Sequence, residues 1–191
     1  MFEADRRPSR APGESGGLIF LKGSRPMSQP APSRPRFPEG YVEHPKAFVP
    51  WSHVEHHLSE AINYWLGTVG ENRRPHVVPV WSVWLNRRLY FDGSPQTRHA
   101  RNISANPFVS VHLESGDDVV ILEGRSRMLP RPSPELARLV SEAYSRKYSA
   151  KGYSPSPSQW DNGGLFEIVP EKILAWTSFV DDPTRFTLTG A

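Results

Sequence analysis

The sequence predicts a mainly β fold, a small antiparallel β-barrel with helices packed on its outside. Six segments have strand character, and three have helical periodicity. Short polar turns join most of the strand segments, whereas a doubly wound parallel sheet needs a helical crossover between successive strands. The 191 residues fit one domain of ordinary size with an additional tail.

The first half of the predicted barrel contains one helix and three strands. Ser52 and Glu55 form a capping-box pattern, which predicts a helix over about 53–63. The strands are expected at 64–69, 75–85 and 89–91, with the polar turn Asn86-Arg87-Arg88 between the last two. The second strand lacks a clean alternation of apolar and polar residues, so both of its faces are expected to be covered.

A second helix follows the third strand directly. Ser94 suits the N-cap and Pro95 the first helical position, and the helix is expected to stop at Asn106-Pro107. The later elements are expected to be strands at 109–113, 118–128 and 165–176, with a capped helix at 133–148. Pro170 interrupts the last strand, which predicts an edge position or a β-bulge.

Composition divides the chain into an arm, a domain and a tail. Residues 1–50 contain nine of the 20 prolines and no sustained apolar period, which predicts an extended or disordered N-terminal arm. The ordered domain is expected over 51–178, and a C-terminal tail over 179–191. The Gly163-Gly164 pair is interpreted as a flexible joint.

Charge and cysteine content exclude several classes of function. Residues 1–50 hold eight Lys/Arg against five Asp/Glu, but residues 51–191 hold 15 against 15. A folded part without excess positive charge indicates no nucleic-acid partner. The chain contains no cysteine, which excludes disulfides, thiolate nucleophiles and Cys-based metal sites. Without a long apolar run, no membrane contact and a cytoplasmic location are expected.

The junction between the third strand and the second helix has the composition of an anion site. Ser94 and Thr97 supply hydroxyl groups, Arg98 supplies a guanidinium, and a helix N-terminus offers free backbone N–H groups. Arg101 lies one turn on, on the same helix face. The same residues also fit a capped helix with Arg98 in solvent, and spacing alone favours that alternative.

The histidines and tryptophans indicate a functional site less clearly than the junction before the second helix does. His53, His56 and His57 include an i, i+3 pair that metal sites use, but no acidic residue stands at a matching spacing, so a solvated helix surface is favoured and no metal site is expected. The isolated His76, His99 and His112 do not indicate a catalytic triad. Four tryptophans could stack on a planar ligand, pack at a subunit interface or fill the core: Trp81, Trp84, Trp160 and Trp176.

Five stretches together resemble the pyridoxamine 5'-phosphate oxidase-like flavin/deazaflavin split-barrel superfamily. They span the region from the first strand to the fourth, and the resemblance extends over about 51–178. The stretches are Tyr64-Trp65-Leu66-Gly67-Thr68-Val69, Arg74-Pro75-His76-Val77-Val78-Pro79-Val80-Trp81, Leu89-Tyr90-Phe91, Thr97-Arg98-His99-Ala100-Arg101-Asn102-Ile103 and Asn106-Pro107-Phe108-Val109-Ser110-Val111.

The resemblance implies a six-stranded antiparallel split barrel that forms a homodimer. FMN or the deazaflavin coenzyme F-420 would lie in the cleft between protomers, next to a small-molecule substrate. Residues of the second strand would line its ring and ribityl chain: His76, Val77, Val78, Pro79 and Val80. Ser94, Thr97 and Arg98 would hold the phosphate, with Arg101 beside them, and Lys172 and Trp176 of the second protomer would close the substrate side.

The resemblance therefore implies an oxidoreductase that transfers a hydride between coenzyme F-420 or FMN and a small organic substrate. His99 follows Arg98 where members that oxidise pyridoxamine often have consecutive Arg and Lys, which argues against that substrate. The chain has 18 arginines and five lysines, a ratio typical of genomes in which coenzyme F-420 is common. The choice between coenzyme F-420 and FMN is not settled by this ratio. The alternative is a non-catalytic flavin- or heme-binding module, with His112 or His76 as the heme ligand; no catalytic residue is assigned.

Overall fold

The computed structural model describes residues 28–188, which form a mainly β fold with three α-helices, in agreement with the predicted class. The first 27 residues of the predicted arm and residues 189–191 lie outside the described part. The helices are α1 (Trp51–Glu60), α2 (Arg98–Ala105) and α3 (Pro134–Tyr148). The strands are β1 (Pro32–Ser33), β2 (Tyr64–Val69), β3 (Pro75–Val80), β4 (Ser82–Leu85), β5 (Arg88–Asp92), β6 (Phe108–His112), β7 (Val119–Leu129), β8 (Leu165–Trp176) and β9 (Thr184–Thr187).

All strand pairs within the described residues are antiparallel, as the short turns predict. The order is β1-β9-β8-β7-β6-β2-β3, and β5 pairs with both β4 and β8. Strand β8 therefore has three partners: its first residues pair with β5, its last with β9, and its whole length with β7. This branching curls the sheet and is consistent with a split barrel. No helix within 28–188 is long and apolar enough to cross a membrane.

The prediction of one long second strand over 75–85 is wrong. The structure divides this segment into two strands at Trp81, because its two halves pair with different strands. Strand β3 pairs with β2, whereas β4 pairs with β5. Buried Ser82 fixes the break: its Oγ donates to the Tyr90 carbonyl at 2.8 Å, and its N–H donates to Tyr148 Oη on α3 at 2.9 Å. The predicted turn after β4 is confirmed, with positive φ at Asn86 and Arg87 as a two-residue hairpin loop requires.

The core lies on both sides of the sheet. One cluster fills the barrel beneath α1 and α2 and contains Leu66, Leu122 and Ile168, all fully buried. A second cluster packs α3 against the β4–β5 hairpin. Strands β1 and β9 are not predicted by the sequence, although Phe186 of β9 packs edge-on against Trp51 with ring centroids 5.1 Å apart.

Two charged groups lie in the interior. The Glu167 side chain is 3% exposed and accepts from Arg88 Nη1 at 2.5 Å and from Arg127 Nη2 at 2.9 Å. Burial opposes its ionisation, but the two guanidinium groups outweigh burial and lower the pKa of Glu167. Lys147 donates to Tyr64 Oη at 2.7 Å, and burial lowers the pKa of its ammonium group to about 7.

The predicted β-bulge at Pro170 is confirmed between β7 and β8. Pro170 pairs with Gly124, whereas Lys172 pairs with Glu123, so Glu171 is the extra residue. A Cβ on Gly124 would lie 2.2 Å from the Val169 carbonyl oxygen, so the strands can approach this closely only at a glycine.

We expect Gly124→Ala to lower the free energy of unfolding by about 1–3 kcal/mol, because the added methyl forces β7 and β8 apart. Chemical denaturation measures the change. Gly116→Ala is the matched control, since its Cβ meets nothing within 4 Å, and its effect should stay within about 0.5 kcal/mol. Equal stability of the two variants would show that the close approach at Gly124 is not needed.

Candidate functional site

A cavity of about 790 Å³ opens between the end of β3, the loop from β5 to α2, and the segment before β8. Its volume lies within the range of small-molecule sites. Fourteen residues line it: Pro79, Val80, Trp81, Asp92, Gly93, Ser94, Pro95, His99, Tyr153, Gln159, Trp160, Asn162, Gly163 and Gly164. Three of the eleven predicted binding residues are among them: Pro79, Val80 and Ser94.

Helix α2 begins later than predicted, because Thr97 rather than Ser94 is its N-cap. The Thr97 Oγ1 atom accepts from the Ala100 N–H at 3.4 Å. Residues 94–97 form a turn of their own, in which the Thr97 N–H and Oγ1 both donate to the Ser94 carbonyl at 3.1 and 2.9 Å. Ser94 is thus left on the cavity wall, one turn before the helix.

Positive charge gathers at the N-terminus of α2. Arg98 is its first residue and is exposed, and its guanidinium forms no hydrogen bond or ion pair with any other residue in 28–188. Arg101 is also exposed and donates to the Gln96 carbonyl, and the first turn contains no acidic residue. Cations at the positive end of a helix dipole are unfavourable unless an anion joins them, so the arrangement favours a bound anion.

His99 lies on the cavity wall, although sequence reasoning did not select it. Its Nε2 is 3.0 Å from Thr97 Oγ1, and its ring contacts Phe91 at a centroid distance of 6.0 Å. Burial, and next the neighbouring His76, lower the pKa of His99. The ring is therefore neutral near pH 7, and it can donate a hydrogen bond to a ligand or accept one from it.

A second polar group in the wall comes from the Pro/Ser-rich loop. Tyr153 Oη donates to Asp92 Oδ2, and Gln159 Nε2 donates to the same oxygen at 2.8 Å. Burial, and then the contact with Asp92, raise the pKa of Tyr153 to about 12, so its hydroxyl stays protonated. Sequence analysis missed this group because its members stand 61 and 67 residues from Asp92.

Aromatic and glycine residues complete the wall. Trp81 stacks on Tyr148 with ring centroids 4.8 Å apart, and Trp160 is almost fully buried. Gly163 and Gly164 lie in the segment before β8. Both have positive φ, and the Gly164 carbonyl accepts from the Gly93 N–H at 3.0 Å, which ties two loops of the cavity together.

The other predicted residues lie outside the cavity of the single chain. His76, Val77 and Val78 stand earlier on β3, where exposed and half-buried positions alternate. Lys172 Nζ is 2.5 Å from Glu123 Oε2, and Trp176 packs on Phe179 with centroids 5.4 Å apart. Their assignment to the cofactor site stays a prediction, as does that of Thr97, Arg98 and Arg101.

One face of the sheet contains a row of mainly apolar side chains that are only partly covered. Strand register aligns a row of residues across it: Pro79, Trp65, His112, Ile121 and Leu174. Each is exposed or half-buried, whereas Leu66, Val111 and Leu122 of the adjacent row, on the opposite face, are buried. Lys172 and Trp176 stand two residues from Leu174, so they share the outer face. We call this surface the outer face below.

The histidines of α1 have an acidic neighbour that spacing along the chain does not reveal. Asp118, in the turn before β7, lies 2.8 Å from His53 Nε2 and 3.1 Å from His57 Nε2. The sequence offered no acidic residue at a matching spacing for these histidines, but the fold brings Asp118 to two of them.

The strand order and outer helices define a split-barrel protein. A family model described as pyridoxamine 5'-phosphate oxidase matches residues 53–177. The chain belongs to this family, which confirms the resemblance stated from the sequence. None of the curated proteins compared with the chain matches it.

Solved structures of similar fold come from several bacteria. General stress protein 26 from Bacillus anthracis is 22% identical, covers 72% of this chain and 97% of its own, and has a TM-score of 0.55. A NimC/NimA family protein from Clostridium acetobutylicum is 19% identical, covers 74% and 95%, and has a TM-score of 0.55. HutZ, a heme storage protein from Vibrio cholerae, is 24% identical, covers 65% and 92%, and has a TM-score of 0.52. At these identities the similarity establishes the fold.

Proposed function

We propose that the chain is an oxidoreductase that transfers a hydride between bound coenzyme F-420 or FMN and a small organic substrate. The observation that carries the proposal is the unpaired Arg98 at the N-terminus of α2, next to a cavity that β3 borders. A phosphate placed there meets free N–H groups, the helix dipole and a guanidinium. Family membership supports the same class of cofactor.

The residues of the cavity fit a flavin-type cofactor. Pro79, Val80 and Trp81 offer an apolar wall for a planar ring, and Ser94 lines the same cavity. Elsewhere on the cavity wall, neutral His99 and the hydrogen-bonded group of Asp92, Tyr153 and Gln159 offer polar atoms to the cofactor's polar chain or to a substrate. The cofactor, when bound, supplies the hydride chemistry.

In this proposal the chain positions the cofactor and the substrate, and it supplies no nucleophile. Arg98 and Ser94 would hold the phosphate, and the end of β3 would line the ring. The Tyr153 hydroxyl is protonated at neutral pH and donates its single proton to Asp92, so it holds that carboxylate on the cavity wall, where the carboxylate can accept a hydrogen bond from a substrate. Holding the cofactor and the substrate in this way would lower the barrier to hydride transfer, because the reacting atoms would already be at contact distance.

We further propose that the chain forms a homodimer through the outer face. Trp65 stacks on His112 at a centroid distance of 6.3 Å, and the row continues with Ile121 and Leu174. A second copy would cover this apolar surface. It would also bring its Lys172 and Trp176 toward the cofactor cleft, since these residues lie on the same face.

Titration of the purified full-length chain with FMN, FAD, coenzyme F-420 and heme tests the proposal. We expect saturable binding of FMN or coenzyme F-420, followed by anaerobic oxidation of the reduced, bound form by members of a panel of small organic acceptors. Tight binding without turnover over the whole panel, or binding of heme alone, would support the non-catalytic module instead. Absence of binding to all four would contradict both functions.

A further inference from the structure

We propose that His53, His57 and Asp118 form a binding site for a divalent transition-metal ion, Zn²⁺ in the first instance. Their ligand atoms all lie within 4.8 Å of one another. His53 and His57 stand four residues apart on one face of α1, and Asp118 comes from the turn before β7. None of the three lines the cavity, so the metal site is separate from the proposed cofactor site.

The distances are close to those of a zinc site. Zinc binds imidazole nitrogen and carboxylate oxygen at about 2.0–2.2 Å, which places tetrahedral donor atoms about 3.3 Å apart. The Nε2 atom of His53 is 2.8 Å from Asp118 Oδ1, and that of His57 is 3.1 Å from Oδ2. Small side-chain shifts therefore open room for the ion without moving the backbone.

The two imidazole rings converge on the Asp118 carboxylate. Both imidazoles approach the same carboxylate, and their ring centroids are 4.3 Å apart. A divalent ion can bind both rings in their neutral form together with the carboxylate.

The donor set favours zinc over the harder cations. Calcium and magnesium prefer oxygen ligands alone, whereas imidazole suits zinc, nickel, cobalt and copper. The side chains are between 27% and 36% exposed, which leaves a further coordination position to water. The bound ion would tie α1 to the loop between β6 and β7.

Calorimetric titration of the full-length chain, freed of metal by chelation, with ZnCl₂ measures the site directly. We expect one Zn²⁺ per chain and a rise of roughly 5–10 °C in Tm at a free zinc concentration 100-fold above Kd. MgCl₂ at the same concentration should leave Tm unchanged. X-ray absorption of the zinc-loaded protein should show two imidazole nitrogens in the coordination shell.

His57→Ala and Asp118→Asn should each weaken zinc binding by more than about 10-fold, because each removes one ligand and even outer partners of a metal contribute that much. His56→Ala is the matched control, since it removes an exposed imidazole of the same helix that is not part of the group. Circular dichroism confirms that each variant is folded. No saturable zinc binding, or an equal loss in all three variants, would overturn the proposal.

Discussion

Arg98→Ala is expected to weaken the binding of FMN or coenzyme F-420 by about 10- to 100-fold. One charge-assisted contact with the phosphate is worth roughly 1.5–3 kcal/mol, and Arg98 has no partner within the described residues that would share that energy. Fluorescence titration of the cofactor measures the change in Kd. The difference from the unchanged protein should shrink as salt is raised, because Arg98 is exposed and its charge is screened.

Arg146→Ala is the matched control for this variant. Arg146 is also an exposed arginine, but it lies on α3 and does not line the cavity. Its replacement should leave Kd unchanged, so a loss in both variants would indicate a general effect of net charge. Unchanged affinity of Arg98→Ala would remove Arg98 from the site.

Glu167→Gln is expected to lower the free energy of unfolding by about 2–3 kcal/mol. The variant keeps the shape of the side chain but leaves Arg88 and Arg127 without their shared anion. Arg88 is 29% exposed and bears most of this cost, whereas Arg127 is 68% exposed and can be hydrated. Urea denaturation at neutral pH measures the loss.

Glu171→Gln provides the control on the same strand. Its ion pair with Arg125 has a distance of 2.8 Å, but both side chains are more than half exposed, so its loss should cost less than about 1 kcal/mol. Equal effects of the two substitutions would contradict the buried role of Glu167.

Acid should remove the difference between the unchanged protein and Glu167→Gln. The pKa of Glu167 is lower in the folded protein than in the unfolded chain, so folding favours the ionised form. The stabilisation is therefore present above the ordinary carboxyl pKa and is lost as pH falls through the folded value. Denaturation curves at a series of acidic pH values should converge. A constant gap across the series would assign the loss to packing rather than to charge.

Local patterns predict the elements of this fold well, because each depends on residues close in sequence. The capping residue Ser133 and the apolar face of α3 define that helix, and Pro170 places the bulge in β8. The break at Trp81 could not be predicted in this way. It depends on Tyr148, which meets Ser82 only after α3 has packed on the β4–β5 hairpin.

The candidate site could be predicted only where its residues fall on one continuous stretch. The end of β3 lies within a stretch that carries the family resemblance, and Ser94 lies in the strand-to-helix junction that has the composition of an anion site; both line the cavity. Tyr153 and Gln159 reach Asp92 from a loop without regular spacing, and Asp118 reaches His53 across 65 residues. Such contacts are consequences of the tertiary fold, so no local period or motif indicates them.

A crystal structure of the protein with bound FMN or coenzyme F-420 tests the central claim most directly. The account predicts the phosphate at the N-terminus of α2, with an oxygen within hydrogen-bonding distance of the Arg98 guanidinium and the ring against Pro79 and Val80. A cofactor whose phosphate lies away from α2, or whose ring leaves β3 uncovered, would contradict it.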